Sequence, residues 1–357
     1  MAWVRALEKF STRAPDQQYR YEFEIASESK IIGLLNYADG FLRSGPLTLE
    51  VDDNGMLRYL CHLSTTTFSE EDIHEWNSAD EEGYSFPGGL AEEILALLSI
   101  FFRCRFYLVS TSQLEMDEKS MKLKNLNNFV YQKINSKIHP SIFHDQGLNW
   151  VEVSVFFDKI RNLPPVWHRR FALACLYYRK ALKEIGVDEE MVFIYLVSAV
   201  ECLMETASEM TNDPFKGVKL SEFCDFSKLD GAAVSAVQTW YGKTRHVKNR
   251  FLNFIKVYST GYLPTPGTAW NKIDVANMGP YIEAIYDARS EYLHAGKPMY
   301  ISRIWPRDFG DFDPSFGQII DQRAWPASEL LPYPHFFEGL VRHCILGFLE
   351  QKGISVL

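Results

Sequence analysis

No stretch of this 357-residue sequence is apolar for long enough to cross a bilayer. The longest apolar runs, residues 94–102 and 191–200, fall well short of the roughly 20 residues a spanning helix needs. The amino terminus, with Trp3, Arg5, Glu8 and Lys9, lacks the apolar segment of a secretory signal. Cysteine is sparse: Cys61, Cys104, Cys175, Cys202, Cys224 and Cys344 contain no C-x-x-C pair, which excludes a disulfide framework and the common zinc sites. Cys175 and Cys202 sit in apolar helical patterns, where a free thiol behaves as a small hydrophobe. The expectation is a soluble, cytoplasmic protein without membrane attachment, metal or cofactor.

The usual nucleotide and hydrolase signatures are also missing. There is no G-x-S-x-G elbow, no G-x-x-x-x-G-K-[ST] loop and no G-x-G-x-x-G turn. Asp308-Phe309-Gly310 spells the metal-binding triplet of protein kinases, but no glycine-rich loop, matching lysine or His-Arg-Asp precedes it. Asp308, Asp311 and Asp313 approach calcium-loop spacing without the terminal glutamate, and His139 and His144 lack a zinc-site spacing.

What is present is an ordinary globular composition, 46% hydrophobic and 23% charged, in a chain long enough for two domains. The net charge of −9 argues against a non-specific polyanion binder, but it is unevenly spread. From Ile160 onward 22 basic residues face 22 acidic ones, so the first part of the chain carries all of the excess.

The pattern divides the chain at 162–165, Asn-Leu-Pro-Pro. Residues 1–162 read as an acidic mixed α/β domain with antiparallel strands, of unassigned role as a sensor or substrate-selecting unit. Residues 19–25 alternate apolar and charged side chains, as do 47–51, and Asp52-Asp53-Asn54-Gly55 forms a hairpin turn into 56–63. Residues 106–109 and 150–157 are further strand expectations. After an acidic loop over 70–82, residues 90–103 show helical spacing, with Arg103 and Arg105 placed to complement the helix dipole. Residues 163–357 read as an all-α bundle, giving an α+β class overall. Helices are expected at 166–185, at 191–208 after an Asp188 cap, within 232–258 as one helix or a pair, at 275–295 before Gly296-Lys297-Pro298, and at 336–351.

The fourth of these helices carries Arg289, four residues, then His294 and Gly296. With a helix pair before it (177–182 and 193–203) and a last helix bearing Arg342, this R-x4-H pattern resembles the HEPN superfamily, most closely its Apea-like branch. The resemblance covers about residues 166–349 and nothing before 160. It implies a HEPN-like helical bundle, a homodimer joined along the motif helix, and metal-independent endoribonuclease activity on RNA, tRNA included. It also implies products with 2′,3′-cyclic phosphate and 5′-hydroxyl ends, in a setting of anti-phage defence or stress. Many active members carry Asn, His or Asp directly after the arginine, whereas Ser290 stands here. That departure keeps open the alternative of a non-catalytic module that binds RNA or nucleotide or mediates assembly.

The residue types suit the chemistry. RNA brings its own nucleophile, the 2′-hydroxyl, so a catalyst must neutralise the phosphoryl oxygens and move protons. Arg289 offers a planar fork of donors matched to phosphate, and His294 an imidazole, a group that exchanges protons near neutral pH. Five helical positions put the two about 7.5 Å apart along the axis and about 140° around it, flanking a groove rather than sharing a face. Supporting residues are Ser290 and Glu201, the latter either holding Arg289 or lying on a solvated face. Lys243, Arg245, Lys248 and Arg250 form a basic stretch, with His246, that can follow an RNA backbone or simply face solvent.

Overall fold

The structure is a computed structural model. It describes residues 2–12, 18–27, 29–51, 57–67, 89–117, 120–128, 148–204, 228, 230–262, 278–301, 318–320, 323–326 and 329–354. The 52–55 turn, the acidic loop, His139, His144, Cys224 and the Asp308–Asp313 aspartates lie outside these residues.

Alternating strands build the first half. β1 (Gln18–Ser27) turns Tyr21, Phe23 and Ile25 into the core and leaves Glu22 and Glu24 on the other face. It pairs antiparallel with β5 (Leu57–Thr67) on one side and β6 (Phe106–Asp117) on the other. β3 (Asn36–Tyr37), β4 (Leu42–Val51) and β7 (Ser120–Asn128) complete an antiparallel sheet in the order β3-β4-β5-β1-β6-β7. β4 and β5 meet at Val51↔Leu57, on either side of the expected hairpin turn. A separate parallel pair joins β2 (Ile31–Ile32) to β8 (Leu148–Asn149).

Against this sheet lie α1 (Ala2–Thr12) and α2 (Gly89–Phe102). α2 is buried almost all round, from Leu90 to Phe102, as a helix between two layers must be. The expectation that Arg103 and Arg105 serve its C-terminal dipole is overturned. The chain turns out of the helix at Arg103, with φ +53, and both guanidinium groups serve other partners. Arg342, over two hundred residues away, takes the cap, donating to the carbonyls of Ile100 at 2.8 Å and Phe101 at 2.6 Å.

The strand expected at 150–157 is a helix, α3 (Trp150–Arg161). The alternation Val-Glu-Val-Ser-Val resembles a strand, yet Trp150, Val153, Phe156, Phe157 and Ile160 form one buried helical stripe. Val151 and Val155, which a strand would have buried together with Val153, are 64% and 53% exposed. Asn149 caps the helix, accepting the Val151 N–H at 3.0 Å.

The second half is mostly helical: α4 (Pro165–Glu184), α5 (Glu189–Leu203), α6 (Gly231–Tyr258), α7 (Gly279–Ala295) and α8 (Pro334–Gln351). It is not all-α, because β9 (Gln318–Ile320) and β10 (Arg323–Trp325) form a short antiparallel ribbon. The 232–258 region is one continuous helix, capped by the Asp230 carboxylate on Ala233 N–H at 2.7 Å. No helix among the described residues is long and apolar enough to cross a membrane.

Buried side chains of both halves make one continuous core, with α2 packed on α4. Arginines stitch across it. Arg105 donates to the Ile185 carbonyl, and Arg179 to the Phe106 carbonyl and to Glu92. Arg103 forks onto Glu338, with Nη2–Oε2 at 2.6 Å and Nε–Oε1 at 3.1 Å, and the Tyr178 hydroxyl donates to the same carboxylate.

The α4–α5 turn holds a second buried carboxyl. Glu189 Oε1 accepts the Gly186 N–H at 3.0 Å, and Oε2 has no partner among the described residues. Burial pushes this group from 4.5 up to about 7, against the pull of the Gly186 N–H and of Arg105. The native state therefore keeps a proton that the unfolded chain has lost, so the stability due to this group falls as pH rises from about 4.5 through about 7. Glu189→Gln should flatten that slope and gain up to roughly 3 kcal/mol near pH 8, read from denaturant melts at about pH 5 and pH 8. An unchanged slope in the variant would assign the dependence to other groups.

Candidate functional site

α7 presents two faces. Ile282, Ile285 and Tyr286 are buried, and the Tyr286 ring packs on Phe251 of α6 with centroids 4.9 Å apart. Three residues on, hence on nearly the same side of the helix, Arg289 reaches inward to α5. Its Nη2 donates to Glu201 Oε2 at 2.9 Å, with the two side chains 17% and 23% exposed. The Arg289 guanidinium lies 6.0 Å from the Tyr286 ring centroid, and the Tyr286 hydroxyl donates to Glu201 Oε1 at 3.5 Å. Arg289 Nε is buried with no acceptor among the described residues.

Glu201 thus faces the Arg289 cation, with Arg250 near enough to act on its charge. Burial pushes its carboxyl above the ordinary range, while Arg289, the Tyr286 hydroxyl and Arg250 pull the other way. Arg250, on α6, is close enough to act on the charge of both Glu201 and Tyr286. Of the two sequence readings of Glu201, the solvated face gives way to contact with Arg289.

His294 lies one turn further along, exposed, in the last turn of α7. The helix stops where Gly296 adopts φ +64, a left-handed conformation that costs a glycine little. Beyond it the Met299 N–H donates to Glu190 Oε1 at 2.7 Å, tying the segment after the motif back to the first turn of α5. Ser290 is partly exposed beside Arg289.

The basic stretch divides. Lys248 Nζ is 2.8 Å from both Glu283 Oε1 and Asp287 Oδ1, so it clamps α6 to α7. Burial alone would lower its ammonium, but these two carboxylates outweigh that and hold it above the ordinary lysine value. Arg250 joins the Glu201 cluster. Lys243 and Arg245 fall on the α6 backbone, and their side chains lie outside the described residues.

Tyr286 was not singled out from sequence, although its i,i+3 spacing to Arg289 marks it as a neighbour. Arg170 of α4 was also missed. Its Nε donates to the Cys202 carbonyl at 2.9 Å and its Nη2 to the Met204 carbonyl, satisfying the end of α5 just beyond Glu201. Among the described residues no group of three or more His, Cys, Asp or Glu side chains is arranged to hold a metal ion. A search of protein-family models, of curated proteins and of solved structures finds no match to this chain.

Proposed function

We propose that the α7 site belongs to a metal-independent, HEPN-like endoribonuclease. Arg289 contacts the scissile phosphate, Glu201 and Tyr286 position Arg289, Ser290 supports it, and His294 moves the proton. The observation that carries this reading is the Arg289–Glu201 contact at 2.9 Å, which fixes a guanidinium whose buried Nε–H has no acceptor among the described residues. A preorganised donor of this kind stabilises charge as it develops on phosphoryl oxygens. The 2′-hydroxyl then attacks phosphorus, the 5′-oxygen leaves, and the products carry a 2′,3′-cyclic phosphate and a 5′-hydroxyl.

The reading includes a homodimer through α7, in which two motifs line one cleft, and RNA as substrate in the cytoplasm. Exposure of His294 and Leu293 on the same turn is compatible with such a face. The setting, defence or stress, rests on the resemblance alone. A non-catalytic RNA-binding module is the second reading. It is favoured by Ser290, which stands directly after the arginine where many active members of that superfamily carry Asn, His or Asp.

The test is to incubate purified protein with total RNA and with tRNA in EDTA and to map the product ends. Cleavage leaving cyclic-phosphate ends is the expected outcome. Intact RNA, with binding retained, assigns the second reading instead.

A further inference from the structure

α5 shows solvent a narrow arc. Along the helix Tyr195, Ser198, Glu201 and Cys202 are partly exposed, while the residues between them are buried. Helical geometry places the four within about 120° of arc and about 10 Å of axis. α4 borders the arc at Tyr195 and Cys202, and α7 borders it at Glu201.

The α4 border is aromatic and cationic. Tyr177 of α4 and Tyr195 stack with centroids 6.3 Å apart at 27°, and Lys180 Nζ sits 5.6 Å from one ring and 5.7 Å from the other. The opposite border carries the Arg289–Glu201 contact described above. Tyr195 and Glu201 are six residues apart, about 9 Å along the axis, a distance that a few nucleotides of strand can span.

We propose that this arc of α5 is the path of single-stranded RNA, with one base stacked on the Tyr177–Tyr195 pair and a nearby phosphate on Arg289. A duplex keeps its bases stacked on one another, so a ring pair of this kind selects unpaired nucleotides. Charge is uneven along this path. Glu184 and Asp188 lie close enough to Tyr195 to push its hydroxyl up, after burial itself, so phosphates are repelled at that end. Arg250 and Arg289 favour them toward α7, while Lys180 beside the ring pair offsets part of that repulsion. The inference rests on the reading of Arg289 as a phosphate-contacting residue, and its test separates the two.

A short fluorescent 2′-O-methyl oligouridine, which lacks the attacking hydroxyl, is titrated with wild type, Tyr195→Phe and Tyr195→Ala. Loss of one base–aromatic stack weakens binding by about tenfold in Tyr195→Ala. Tyr195→Phe keeps the ring and stays within about twofold of wild type. A blunt duplex of the same length binds wild type and Tyr195→Ala alike. Lys180→Gln serves if Tyr195→Ala fails to fold: it removes the cation beside the ring pair and weakens binding of the single strand. Equal binding by wild type and the Ala or Gln variants, an equal loss in Tyr195→Phe, or no binding by wild type overturns the proposal. The ribonuclease reading fails separately: tight, Tyr195-dependent binding without cleavage of unmodified oligouridine keeps the path and removes the nuclease. Cleavage that Tyr195→Ala leaves untouched does the reverse.

Discussion

Glu338→Ala should destabilise the protein by about 3–5 kcal/mol, the largest stability loss expected of any single substitution here. Glu338 is fully buried in α8 and accepts from Arg103 through both carboxylate oxygens and from the Tyr178 hydroxyl. Its removal leaves Arg103, 14% exposed, as a charge without its counter-ion, and strips an acceptor from a buried phenol. Globular domains hold only about 5–15 kcal/mol in all, so urea melts should show a large fall in midpoint. Glu338→Gln keeps the shape and one oxygen and should lose less. Gly339 leaves room for the same arrangement: a Cβ there would meet the Tyr262 hydroxyl at 2.5 Å and Arg103 Nη2 at 2.8 Å, so one or both side-chain ends must shift in Gly339→Ala. A midpoint unmoved by Glu338→Ala would show that Arg103 and Tyr178 find water or other partners once the carboxylate is gone.

Arg289→Lys should reduce RNA cleavage by about a hundredfold or more while leaving the melting temperature close to wild type. Lysine keeps the positive charge facing Glu201, so the partly buried carboxylate stays compensated. It loses the planar fork, whose separate nitrogens can hold two phosphoryl oxygens at once. Loss of a single oxyanion donor commonly costs about 10²–10³ in rate. If Arg289 were only structural, its replacement by lysine would change activity little. The same substitution therefore separates a catalytic guanidinium from a packing one.

The helices of the second half were legible because their apolar residues repeat with helical spacing and their ends carry strong signals. Asp188 caps α5, accepting the Met191 N–H at 3.1 Å, and Gly296 closes α7. The central strands were legible for the parallel reason, alternation in Tyr21–Phe23–Ile25. α3 was misread because β-branched valines at every second position imitate a strand, and only the packing of Trp150 and Phe156 decides the period. The arginines show a different limit. Arg103 finds Glu338 across 235 residues of sequence, and Arg342 caps α2 from as far away. Local patterns carry no record of such partners, so both arginines near the end of α2 were credited to the dipole. In the candidate site, Arg289 and His294 were picked out by the resemblance and Glu201 as one of two readings, whereas Tyr286 and Arg170 were not seen. Lys248 looks like a phosphate contact in sequence and is an inter-helix clamp in the fold. Tyr195 and Tyr177 become a stacked pair only when α4 and α5 come together.

Initial cleavage rates of wild type, Arg289→Ala and His294→Ala on one RNA in EDTA test the central claim most directly. The account predicts cleavage by wild type and a fall of about a hundredfold or more in each variant. Equal rates for all three proteins, or intact RNA with wild type, would contradict it.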